Sequence, residues 1–200
     1  MADPLAGLGH NLGPTMEAGA SWRKHCWTAA RESLLPHLPI EVLRGRLRRA
    51  KELGLDYKTY ASVRAASGHD VVAFLFSSNA LRLLGATPVL PADRAEKLAA
   101  LVECGRLAVV SAPLMPEVVL RAAEGLVQAA FKAPGAMASF SQAASMLRLA
   151  TAGLPGDRIL LVGDMALEQG WCAAGRLAGY VPAARYFGSL YATGACGADI

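Results

Sequence analysis

Residues 71–84, VVAFLFSSNALRLL, pass from an apolar run through Ser77-Ser78-Asn79 into an Ala/Leu-rich segment. Val, Phe and Leu in near-continuous order suit a strand covered on both faces better than a half-exposed one. Two further stretches repeat the form, RLAVVSA at 106–112 and RILLVGD at 158–164. TPVLP at 87–91 is a weaker fourth candidate, an edge strand given its prolines. Helical patterns fall between them at Asn79–Leu84, Asp93–Glu103, Pro116–Phe131, Ser139–Ala152 and Leu167–Leu177. Strand and helix in alternation predict an α/β domain: a small parallel sheet of three to four strands layered with helices through right-handed crossovers, Rossmann-like in plan. The stretch from Ala112 to Arg158 is long for one crossover, and the spacing predicts two helices parted at Ala133-Pro134-Gly135.

Upstream the pattern is helical. Trp22–Leu35 follows Ser21 as N-cap, and Pro36 and Pro39 separate it from a helix over Ile40–Leu53. Gly54 ends that helix, and Asp56 caps a third that runs to about Ala66 before Ser67-Gly68. The organisation expected is a flexible leader over 1–20, a helical segment over 21–68, the α/β domain over 69–187 and a tail over 188–200.

Two hundred residues with 54% apolar and 18% charged side chains can bury a sizeable core. No apolar run approaches the roughly 18–20 residues that cross a bilayer. The N-terminus lacks the basic start and continuous apolar block of a signal peptide, so the expected setting is cytoplasmic. Cys26, Cys104, Cys172 and Cys196 are widely spaced and read as reduced thiols. His10, His25, His37 and His69 form no ligand spacing, so no metal is assigned, and the sequence names no cofactor.

Open parallel sheets take their ligands beyond the carboxyl ends of the strands. Those ends read Ser77-Ser78-Asn79, Ser111-Ala112-Pro113 and Gly163-Asp164, all small or polar. Their convergence on one rim makes Ser77, Ser78, Asn79, Ser111 and Asp164 candidate ligand-binding residues. Arg82, three residues beyond Asn79, supplies a cation for a phosphate or carboxylate at the start of the following helix. The alternative reading of these residues is helix capping alone.

The order strand, short polar loop, Asn, Arg resembles the phosphate loop of low-molecular-weight tyrosine phosphatases. Phe76 stands where that family's nucleophilic cysteine would be, which excludes its mechanism. GxxxxGK[ST], GxGxxG and GxSxG are also missing, so catalytic residues stay unassigned.

Net charge is +4, with basic residues concentrated between Arg44 and Arg64. RLRRAKELGLDYKTYASVRA, 46–65, fits a helix-turn-helix template with Ala50 at the inter-helix contact and Gly54 in the turn. In that arrangement Tyr57, Lys58, Thr59, Ser62 and Arg64 face a DNA groove while Arg44, Arg48 and Lys51 meet phosphates. The alternative is a solvated basic face. Trp22 and Trp27, five residues apart, lie on different faces, so at least one is expected to dock against the α/β domain or a partner. The Ala/Gly-rich run 171–191 reads as tightly packed core, with a homo-oligomer interface as the alternative. Three functions follow: binding of a small anionic molecule at the rim, nucleic-acid-binding regulation through residues 46–65, or a non-catalytic scaffold.

Overall fold

The computed structural model describes residues 38–85 and 87–188. The leader over 1–20, the Trp22–Leu35 helix and the tail beyond residue 188 lie outside the described residues. Two helices, α1 (Ile40–Glu52) and α2 (Tyr57–Ser67), precede the first strand. Then come β1 (Ala73–Ser77), α3 (Ala92–Ala99), β2 (Gly105–Val110), α4 (Pro116–Ala122) and β3 (Ala129–Lys132). They are followed by α5 (Phe140–Ala150), β4 (Ile159–Gly163), α6 (Ala166–Gly175), β5 (Gly179–Pro182) and α7 (Ala183–Gly188).

Five strands form one all-parallel sheet in the order β3-β2-β1-β4-β5. Strand order therefore reverses between β1 and β4, where the chain crosses from one face of the sheet to the other. The α/β expectation holds. The central strands are the three apolar runs, and β1 and β4 are buried at every position.

The core lies in two layers because alternate strand residues point to opposite faces. Phe74, Phe76, Ala108, Val110, Leu160 and Val162 face the layer that holds Leu98, Val119, Tyr186 and Phe187. Ala50, Leu53, Leu55, Tyr60 and Val63 pack into that same cluster, so residues 50–63 share their apolar side chains with the sheet. Leu75, Leu107, Val109, Ile159 and Leu161 face Ala143, Leu147, Trp171 and Ala174 of α5 and α6.

Four local expectations change. Residues 79–84 form no helix: Leu81, Arg82 and Leu83 donate their N–H groups to Ser77, Asn79 and Ser78 in one tight turn. Leu81 and Leu83 are both buried while Arg82 and Leu84 are exposed, a two-residue alternation that no helix could satisfy. TPVLP carries no strand pairing, and Val89 is 79% exposed. The single helix expected over Pro116–Phe131 stops at Ala122, because Glu124 and Gly125 turn left-handed (φ 45° and 79°) and the chain re-enters the sheet as β3. Finally, β5 extends the opposite edge, so the sheet has one strand more than the upper expectation.

Candidate functional site

The carboxyl ends of β1 to β4 open into a cleft of about 410 Å³. Its walls are Asn79, Ser111-Ala112, the loop Ala133–Ala136, and Met165, Leu167, Glu168 and Trp171 of the β4–α6 connection and α6. A smaller apolar chamber of about 140 Å³ shares Pro134, Gly135, Ala136, Leu167 and Trp171 and continues under Phe140 and Ala143. Polar groups thus gather at the strand ends, and apolar side chains line the far end.

Glu168 is the centre of the polar end. It sits in the first turn of α6 and is 1% exposed. One oxygen, Oε2, accepts the backbone N–H groups of Asp164 (2.7 Å) and Met165 (3.1 Å). The N-cap position holds Met165, which has no oxygen to offer, so Glu168 reaches back and satisfies the helix start itself. The other oxygen, Oε1, accepts from Asn79 Nδ2 at 2.7 Å, and that amide also lies 3.1 Å from Met165 Sδ. A carboxylate neighbour fixes which way the Asn79 amide points, because Oδ1 in its place would set acceptor against acceptor. Burial, and then the negative charges of Glu168 and Asp164, push the Tyr180 phenol upward.

Ser77 and Ser78, expected at the ligand, are 0% and 1% exposed. Ser77 Oγ accepts from the Ala80 N–H at 3.0 Å, which shapes the turn after β1. Ser78 Oγ accepts from the Ser111 N–H at 3.1 Å and ties the ends of β1 and β2 together. Asn79 and Ser111 line the cleft, so two of the six candidate residues meet there; Ser77, Ser78, Arg82 and Asp164 are not among its walls. Arg82 is exposed, in a left-handed turn (φ 54°), and Asp164 is exposed beyond β4.

Those two charged residues act instead on Arg94 of α3. Burial, then Arg82, pull the Arg94 guanidinium down, while Asp93 and Asp164 hold it up. Arg94 is 5% exposed, pairs with Asp93 and lies 4.2 Å over the Phe187 ring, and its buried Nε has no hydrogen-bond partner among the described residues. Sequence reading missed Arg94, Glu168 and Trp171. The retrievable signal was Glu168, a carboxylate in the first turn of a helix whose cap position holds methionine.

The basic helices meet the sheet at its other end. Arg49 donates to Asp70, Glu52 and the carbonyls of Val71, Val102 and Glu103, so it fastens α1 to the loops that enter β1 and β2. Arg64 lies 3.7 Å from Asp70, and Tyr60 donates to the same carboxylate at 2.8 Å. Thr59 is buried and bonded to Asp56, and Tyr57 packs against the core. Of the expected groove-facing residues, Lys58 and Ser62 are exposed; Arg44, Arg48 and Lys51 are exposed on α1. His69, the one described histidine, lies 3.4 Å from Asp157 before β1 and β4, at the rim opposite the cleft. Among the described residues no group of three or more His, Cys, Asp or Glu could hold a metal ion, and no helix is long and apolar enough to cross a membrane.

No family model, no curated protein and no solved structure matches the chain.

Proposed function

We propose that this protein binds a small organic molecule in the cleft at the carboxyl ends of β1 to β4. The observation that carries the reading is the cleft's position and lining together. It opens where strand order reverses, and it combines hydrogen-bonding groups at one end with Trp171, Leu167 and Pro134 at the other. The phosphate or carboxylate expected from Arg82 draws no support from the lining, whose polar side chains are neutral or, in Glu168, negative. No reaction is assigned: the Ser77 and Ser78 hydroxyls are engaged with backbone N–H groups, and the described histidine lies at the far rim.

Thermal-shift screening of the full chain against charged and uncharged metabolites tests this. Ligands that raise the melting temperature should lose the effect in Ala136→Trp, which puts bulk on an exposed cleft wall without entering the core. Stabilisation that survives this substitution, or no stabilising compound at all, contradicts the reading.

A nucleic-acid function has the exposed Arg48, Lys51 and Lys58 in its favour. Against it, Thr59 and Arg64 of the reading helix are engaged within the protein.

A further inference from the structure

We infer that the ligand presents an N–H donor, cationic or neutral, to the Glu168 end of the cleft, and that Glu168 excludes anions from it. This rests on the cleft being a ligand site.

Capping α6 uses Glu168 Oε2 alone, through the N–H groups of Asp164 and Met165. Among the described residues Oε1 has one partner, Asn79 Nδ2, and it can accept a second hydrogen bond. Glu168 is 1% exposed, yet among the described residues no Lys, Arg or His forms an ion pair with it. A buried carboxylate without a counter-cation, on the wall of a cavity, favours a positive or proton-donating guest. The helix start that would attract a phosphate is already occupied by this internal anion.

The neighbouring groups agree. With its NH₂ held by Glu168 and Met165, Asn79 keeps Oδ1 as an acceptor that takes no hydrogen bond from the described residues. Ser111 Oγ likewise has no hydrogen-bond partner among the described residues, and both residues line the cleft. Two acceptors and a hydroxyl thus converge on one end, while Trp171, Phe140 and Leu167 offer an apolar seat for the ligand body. The chemical class is a compact apolar or aromatic body bearing an amine, amidine, amide or ring N–H.

Benzamidine, benzamide and benzoate present a cation, a neutral donor and an anion on one ring, and ligand-observed NMR with the full chain ranks them. Benzamidine and benzamide should bind at least about tenfold more tightly than benzoate. The chain's net charge of +4 works against this order, so it cannot arise from bulk electrostatics. Glu168→Gln should collapse the preference of benzamidine over benzoate, and Ala136→Trp should abolish binding of both. Benzoate binding as tightly as benzamidine, or a preference unchanged in Glu168→Gln, overturns the inference and leaves the cleft standing as a site. Failure of all three probes to bind overturns the inference, and library ligands insensitive to Ala136→Trp overturn the cleft with it. If Glu168→Gln does not fold, the wild-type ranking still decides.

Discussion

At Gly163, the last residue of β4, a methyl group would lie 2.5 Å from Glu168 Oε2 and 2.7 Å from the Tyr180 ring. The bare backbone there is what lets Glu168 fold back over the end of the sheet. Gly163→Ala should therefore cost about 2–3 kcal/mol in urea unfolding and displace Glu168; a cost below about 0.5 kcal/mol would mean that Glu168 has room to move. Arg48 and Arg49 give a second contrast. Arg48 lies 3.8 Å from Glu52 with its side chain 80% exposed, whereas Arg49 is 17% exposed and bridges α1 to two strand-entry loops. Arg49→Ala should destabilise by about 2–3 kcal/mol and Arg48→Ala by less than about 0.5 kcal/mol. Equal effects would contradict the bridging role. The two arginines are adjacent in a basic run, and nothing in the sequence distinguishes them. Their difference comes from carbonyls more than twenty residues away.

Helix starts were the most legible elements. Asp56 caps α2 as its position before Tyr57 suggests, with Oδ1 accepting from the Thr59 N–H at 2.9 Å. Partial burial pushes its carboxyl up, but Thr59 and then Arg185 outweigh this and hold it below the ordinary value of 3.8. A lowered folded-state value means stability present above that pH and lost as the pH falls through and below it. Asp56→Ala should cost about 1 kcal/mol at neutral pH, and the gap between variant and wild type should close under acid; a gap constant down to pH 3 would contradict the cap. Strands were legible in proportion to burial. β1, β2 and β4 are long apolar runs at the centre, while β3 (AAFK) and β5 (GYVP) are short, partly exposed edges without a distinctive pattern. The turn at 79–84 reads as a helix in the sequence because its leucines match both a helical and an alternating pattern, and their burial decides between the two.

Across the whole molecule, the strand order sets the cleft, and the order was not legible. Three polar strand ends could be read from the sequence, but the cleft also needs the loop after β3, an edge strand without a distinctive pattern, and depends on which face each helix takes. Two thiols, buried Cys104 and half-buried Cys172, report on that layered body from opposite sides. Cys104 belongs to the α3/α4 layer and Cys172 to the α5/α6 layer, and burial pushes them up to about 11 and about 12 from 9.0. Raised folded-state values mean that their contribution is complete below about pH 9 and lost as the pH climbs through 11 and 12. Stability should fall above pH 9, by up to roughly 1.4 kcal/mol per pH unit for each thiol, and Cys172→Ala should flatten the decline. A flat alkaline profile in the wild type would contradict the raised values of both thiols.

The most direct measurement is an amide chemical-shift map of the full chain with and without a stabilising compound from the thermal-shift screen. Shifts concentrated at Asn79, Ser111, residues 133–136 and residues 165–171 are predicted. Shifts centred on residues 44–64 or at the opposite rim, with the cleft silent, would contradict the account.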